Sequence, residues 1–283
     1  MKTCRGPLPS LLLALLFLPG YGHARDNRDE LLPAGEGILV RHARYALGYN
    51  PCHKQANWVY YKLAATPGEA VKRTNDFRED PLLEGLSASP ADYLRSGYDR
   101  GHLCPAADMA FDEQAMSETF YMSNISPQTP AFNRGIWKKI EEKVRKMAGD
   151  DTLHVVTGPL FRDNKGTIGA NRVTVPGFFY KLFYSPARRQ MVAFLAPNER
   201  GDRPPEGYLV PVDSVETWTG IDFFPLLPDD LERELEAAVP LAVPLAGTPA
   251  VPPPVPLLAS LFAILILVIL LFIYTSRWSR RRR

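Results

Sequence analysis

In Ser96-Gly97-Tyr98-Asp99-Arg100-Gly101-His102-Leu103-Cys104-Pro105, an aspartate, an arginine and a histidine fall within four positions, bracketed by Gly97, Gly101 and Pro105. Glycines lower the steric cost of a sharp bend and proline stiffens its exit, so the stretch reads as a fixed loop that displays polar groups. A neutral imidazole accepts a proton from water near pH 7, where a carboxylate is a weaker base and a lysine is charged. Arg100 offers paired donors to a phosphate. From residue types alone two readings stand: a catalytic loop, or a buried histidine satisfied by Asp99.

Outward from this loop, the clearest helix is expected over 133–148. Ile136, Ile140, Val144 and Met147 form one apolar stripe in it, and Gly149 stops it. Asn133, Trp137 and Glu141 recur every four residues on an adjacent face, so an amide, an indole and a carboxylate are expected to project in one direction. Strands are expected over 37–42, 57–63, 153–158, 172–176, 178–184 and 190–195, with 186–188 as a hairpin connection between the last two. A second helix falls at 215–219 or at 229–237, and no internal repeat is visible between 36 and 228.

Asn124-Ile125-Ser126-Pro127-Gln128 is followed by Asn133-Arg134-Gly135-Ile136-Trp137 and then Glu141, and upstream stands Arg73-Thr74-Asn75-Asp76-Phe77-Arg78-Glu79-Asp80. With the Asp-Arg-Gly-His run, these motifs in this order resemble the DNA/RNA non-specific endonuclease family. Its members, the ββα-metal nucleases, include secreted sugar-nonspecific nucleases and mitochondrial endonuclease G. The resemblance covers roughly residues 36–228, about two-thirds of the chain. It implies an α+β fold of the ββα-metal nuclease kind, with a mainly antiparallel central sheet flanked by helices. The implied activity is hydrolysis of DNA and RNA with little sequence specificity, dependent on Mg²⁺, for which Mn²⁺ substitutes.

The same resemblance makes His102 the general base, its ring oriented by a backbone carbonyl or a polar side chain. It makes Asn133 the single protein ligand to Mg²⁺, and a neutral amide oxygen suits a hard cation that keeps most of its waters. Glu141 would accept hydrogen bonds from those waters. Arg73 and Arg100 would neutralise charge as the phosphorane develops. Asn124 is counted with the catalytic set because it orders the site through hydrogen bonds. Asp99, Gln128 and Trp137 are expected as supports, while Arg78 and Arg134 stand equally between contact with flanking phosphates and ordinary surface arginines. The implied products carry a 5′-phosphate and a 3′-hydroxyl. A homodimer is an open expectation, and no inhibitor partner is specified.

The chain has 283 residues, 46% of them apolar, which excludes a disordered or collagen-like protein; three cysteines are too few for a disulfide scaffold. Seven basic residues lie at the two ends, and taking them from the total of 33 leaves 26 against 31 acidic residues, a net of −5 for the middle. Nucleic-acid binding is largely electrostatic, so any phosphate site has to be a local concentration of arginines around Arg73 and Arg100, and binding is expected to be salt-sensitive.

Residues 1–24 read as a signal peptide: Lys2 and Arg5, an apolar run over 11–18, then Pro19-Gly20 and the small residues Gly22 and Ala24. The endonuclease domain is then expected over 25–238, followed by a proline-rich linker at 239–256. Residues 257–274 carry no charge and make about 27 Å of helix, enough for a single transmembrane span. The arginine-rich tail 275–283 favours the cytoplasmic side, which places the catalytic domain on the periplasmic or extracellular side. The order of linker, span and arginines also resembles PEP-CTERM sorting tags, although Pro-Glu-Pro is absent. Cys4 leaves with the signal peptide, and Cys52 and Cys104 either form a disulfide or remain unpaired. Two rival functions remain: a non-catalytic nucleic-acid-binding module of the envelope, and a phosphodiesterase for small nucleotides.

Overall fold

The computed structural model describes residues 31–64, 71–149 and 151–239. The expected signal peptide, the linker beyond Val239, the span at 257–274 and the basic tail lie outside these residues. Among the described residues no helix is long and apolar enough to cross a membrane.

Among the described residues, eleven strands and four α-helices follow in the order β1 (Ile38–Arg41), β2 (Tyr45–Asn50), β3 (Gln55–Leu63), β4 (Asp99–His102), α1 (Glu113–Glu118), β5 (Ile125–Gln128), α2 (Lys138–Ala148), β6 (Leu153–Leu160), β7 (Thr167–Ile168), β8 (Val173–Thr174), β9 (Phe178–Ser185), β10 (Gln190–Pro197), β11 (Leu209–Val210), α3 (Val212–Thr219) and α4 (Asp229–Glu236). Seven of the strands form one sheet in the order β1-β2-β3-β6-β9-β10-β11, and every pairing in it is antiparallel. Short turns join β1 to β2, β2 to β3 and β9 to β10, and connections of that length permit only antiparallel neighbours.

Successive residues of each strand face opposite sides of the sheet. Tyr61, Val155, Phe183 and Val192 face one core, and Tyr60, Val156, Leu182 and Met191 face the other. Helix α2 covers the first face with Ile140, Val144 and Met147. Helices α3 and α4 cover the second with Val212, Val215 and Leu235. Burial on both faces explains why β6, β9 and β10 read as nearly continuous apolar runs rather than as clean alternation.

The architecture is the α+β one the resemblance implies, and several local expectations are revised. Strand β2 lies in a stretch that none of the expected strands covers. A Cβ at Gly48 would stand 2.5 Å from Trp58 Nε1, so glycine there admits the indole, and the ladder is bulged at the same point. Asp99–His102 is a short strand paired with β5 rather than a free loop. The helix expected to begin at Asn133 opens with a wide turn of π-helical pitch over Phe132–Trp137, with non-helical torsions at Gly135, and is regular only from Lys138. Both proposed sites for a second helix are helical, as α3 and α4. Cys104 is buried, Cys52 lies on the surface, and the two are not joined in a disulfide.

Candidate active site

The ribbon β4–β5 is the platform of the site. Asp99 lies opposite Gln128, Arg100 opposite Pro127, Gly101 opposite Ser126 and His102 opposite Ile125. Strand alternation sends Arg100 and His102 to one side and Asp99 to the other. Gly101 is required by close approach rather than by bending, since a Cβ there would stand 2.2 Å from Gln128 Cδ.

Asn124, wholly buried, ties down the chain beyond His102. Its Oδ1 accepts from the Cys104 amide at 2.8 Å, and its Nδ2 donates to the carbonyls of Cys104 and Thr119 at 3.0 and 2.8 Å. With the Leu103 amide also donating to the Asn124 carbonyl at 3.0 Å, this side chain acts on the site through the backbone.

His102 is half-buried between two phenylalanines. Phe120 meets its ring edge-on at 4.9 Å and 86°, and Phe77 at 5.6 Å and 61°. The expected hydrogen bond to its ring is absent among the described residues; Nε2 is shut off from solvent without a partner. Aromatic packing orients the imidazole instead. The same two rings carry arginines: Arg73 Cζ lies 4.8 Å from the Phe120 centroid, and Arg100 Cζ lies 4.0 Å from that of Phe77. Burial, then the positive charges of Arg73 and Arg100, push His102 down to about 3, so the imidazole is neutral at pH 7.

Asn133 sits on the wide turn ahead of α2, where the extra residue breaks the straight every-fourth-residue line drawn from it to Glu141. Its Nδ2 donates to Asp99 Oδ2 at 2.9 Å, which leaves Oδ1 without a hydrogen bond among the described residues. Arg134 closes the same carboxylate from the other side, at 2.8 and 2.7 Å. Asp99 therefore locks the amide in one orientation. Trp137 turns into the core, stacked 5.2 Å from Phe132. Arg78 is likewise structural: it donates to Asp76, to the Ser117 carbonyl and to Ser117 Oγ, and stacks over Tyr121 at 4.1 Å.

Glu141 is pushed up to about 7, by burial first and by Asp108 and Glu142, against the lowering effect of Lys181 and Arg145. Lys181 comes from the middle of β9 and is fully buried under α2. It donates to the Tyr61 hydroxyl at 3.1 Å, Tyr61 donates to Asp108 Oδ2 at 2.8 Å, and Arg145 reaches Asp108 Oδ1 at 2.5 Å. Two cations and two carboxylates thus share one cluster behind the site, with Lys181 and Asp108 buried and Arg145 partly exposed. Arg73 feels the Glu141 charge from the solvent side. Arg145 lies four residues beyond Glu141, one further step of the Asn133-Trp137-Glu141 spacing, and Lys181 is the lone charge in the apolar run Phe178–Tyr184; both signals are present in the sequence.

Beside these groups opens a groove of about 410 Å³ whose walls include Phe77, Tyr98, Asp99, Arg100, Asn133 and Arg134. Arg95 adds a third arginine, so a domain of acidic balance has a locally basic trough. A neutral imidazole flanked by guanidinium groups that face no carboxylate across a hydrogen bond is the equipment of a phosphoester hydrolase.

The chain belongs to the DNA/RNA non-specific endonuclease family, whose model matches residues 30–230. It is accordingly an endonuclease, a hydrolase of nucleic acid. It is 36% identical to human mitochondrial endonuclease G over 210 residues, 68% of this chain and 71% of that one. It is 34% identical to the nuclease of Serratia marcescens over 218 residues, 70% and 78% of the two chains. Among solved structures it is similar to a crystal structure of an EndoG/EndoGI complex, with a TM-score of 0.63, 33% identity, and coverage of 69% of this chain and 88% of that one.

Proposed function

We propose that the chain is a Mg²⁺-dependent endonuclease that cuts DNA and RNA with little sequence specificity, leaving 5′-phosphate and 3′-hydroxyl ends. The observation that carries the proposal is His102 held neutral between Phe77 and Phe120, with Arg73 and Arg100 stacked on the same two rings.

The donors present fit a hard cation. Asn133 Oδ1 is left open by the Asp99 hydrogen bond, and Glu141 is an oxygen donor. Asn133 would hold the ion directly and Glu141 through water, with Mn²⁺ able to replace Mg²⁺. When bound, the ion supplies concentrated positive charge and a source of protons for the leaving oxygen. His102 takes a proton from the attacking water at an imidazole nitrogen as the water oxygen bonds to phosphorus. Arg73 and Arg100 neutralise the phosphoryl oxygens as charge gathers there, and the P–O3′ bond breaks with the 3′-oxygen leaving as hydroxyl. Since the attacking oxygen comes from water, the ribose 2′-hydroxyl is not needed, and RNA and DNA are both substrates.

The direct test is incubation with closed-circular plasmid and with RNA, in Mg²⁺ and in chelator. Cleavage of both polymers only with metal supports the proposal. An intact plasmid beside cleaved small phosphodiesters sinks it, because a circle has no end for a closed pocket to admit.

Two consequences concern the metal. Asp99→Ala frees the Asn133 amide to rotate, and the Mg²⁺ concentration for half-maximal cleavage should rise about 10–100-fold; an unchanged metal dependence would remove Asp99 from this role. Protons compete with the ion for Glu141, whose acid form persists up to about pH 7. At limiting Mg²⁺, activity should therefore rise with pH through about 7, and excess Mg²⁺ should move the rise to lower pH. A rise that stays in place whatever the Mg²⁺ concentration would assign it to another group.

The proposal includes the placement read from the ends of the sequence: a catalytic domain on the extracytoplasmic side, tethered by 257–274. Carbonate extraction of membranes, and protease access from the outer side, test it. It also includes a homodimer, for which the check is sedimentation equilibrium.

A further inference from the structure

On the sheet face opposite α2, the spacing of α3 and α4 gathers acids. Asp213 and Glu216 are three residues apart in α3, and Glu232 and Glu236 four apart in α4, so each pair shares one helix face. One carboxylate oxygen from each of Asp213, Glu216 and Glu236 lies within 4.8 Å of the other two. Acidic clusters at surfaces are ordinary, and two observations set this one apart.

Glu236 is only 7% exposed, and its Oε1 is sealed from solvent with no hydrogen-bond partner; Glu232 Oε1 is sealed and unpartnered too. Among the described residues, no cation forms an ion pair with either of them. Burial first, and then the neighbouring acids Glu216, Glu232, Asp213 and Asp222, hold the Glu236 carboxyl up to about 8. The Glu216 carboxyl accepts from the Phe223 amide at 2.8 Å and lies close enough to Glu236 to share a proton with it. Like charges one turn apart destabilise a helix, and a buried carboxylate without a partner costs considerably more. Helix α4 nevertheless docks here, through Leu231 and Leu235.

We infer that Asp213, Glu216 and Glu236, with Glu232 beside them, form a Ca²⁺ site that fastens α4 to α3, distinct from the catalytic cation on the other face of the sheet. The donors are all carboxylate oxygens from two helices, which suits the flexible, oxygen-rich shell of Ca²⁺. Mg²⁺ demands near-ideal octahedral geometry and keeps its waters, and Zn²⁺ favours nitrogen and sulfur. The ion takes the place of the proton between Glu216 and Glu236 and supplies the positive charge the cluster lacks.

The test uses the full-length protein in detergent, stripped with chelator, and follows Ca²⁺ binding by calorimetry and thermal melting. Wild type is compared with Asn133→Ala, which removes the proposed catalytic ligand, and with Glu216→Gln/Glu236→Gln. Wild type and N133A should each take up Ca²⁺ at the helix pair and melt several degrees higher in about 1 mM Ca²⁺. E216Q/E236Q should lose that rise, melt in chelator no lower than wild type because two like charges are gone, and cut plasmid in Mg²⁺ at the wild-type rate. Asp213→Asn, at an exposed position that tolerates exchange, should weaken the binding about tenfold. The inference is overturned if E216Q/E236Q or D213N responds to Ca²⁺ as N133A does. It is overturned equally if wild type takes up no Ca²⁺ beyond the ion that N133A loses and simply melts higher as pH falls from about 8 to about 6, since a shared proton then does the work.

Discussion

His102→Ala should lower kcat/KM for plasmid cleavage by about 10³-fold or more, with fold and metal dependence preserved. The imidazole is the one neutral base beside Arg73 and Arg100, and it stays neutral because burial and those two charges hold it down to about 3. Glu141, which is raised to about 7 by burial, is proposed to hold the ion through water rather than to take over as base. The depressed value also means that acid does not disable the base in the range where an ordinary histidine charges, so at saturating Mg²⁺ the wild type should keep its activity at about pH 5 to 6. Single-turnover cleavage with near-ultraviolet circular dichroism as the control for folding is the measurement. Residual activity within about tenfold of wild type would mean that another group activates the water.

Lys181→Met should destabilise the domain by about 3 kcal/mol or more. Methionine fills a similar volume, so the loss is one of charge rather than of packing. It leaves the Glu141 and Asp108 carboxylates with the partly exposed Arg145 as their remaining cation, and the Tyr61 hydroxyl without its donor. Lys181 is the largest lowering influence on Glu141, so its removal raises that carboxyl beyond about 7 and leaves it protonated at neutral pH. The variant should therefore need more Mg²⁺ for half-maximal cleavage, and excess Mg²⁺ should restore the rate. Urea midpoints and Mg²⁺ titrations read the two effects separately. An unchanged midpoint together with an unchanged Mg²⁺ requirement would show that the buried lysine supports neither the fold nor the glutamate.

Much of this protein was legible before any coordinates. The apolar stripe Ile136, Ile140, Val144 and Met147 marks a helix because burial on one face repeats with the helical period. The runs around Val155, Phe183 and Val192 mark strands, since their branched and aromatic side chains suit a pleated surface. The Asp-Arg-Gly-His run, with the asparagine and glutamate segments after it, was sufficient to name the family because its chemistry is concentrated in short local motifs. Strand β2 is less legible, since its Gly48 is accommodated to Trp58, a residue ten positions away in sequence, and a local pattern does not record that contact.

What the sequence by itself determined is the inventory: which segments can be strand or helix, that the domain is acidic while its arginines stand next to the motifs, and which side chains are available as base, donor and ligand. Only the tertiary structure decided how those groups are held. It set His102 between Phe77 and Phe120 instead of on a hydrogen bond, turned the Asn133 amide against Asp99, and buried Lys181 with Tyr61, Asp108 and Arg145 behind Glu141. The reason is that orientation, burial and pKa depend on which distant segments meet across the sheet, and spacing along a chain specifies neighbours only within a turn or two of helix or along one strand.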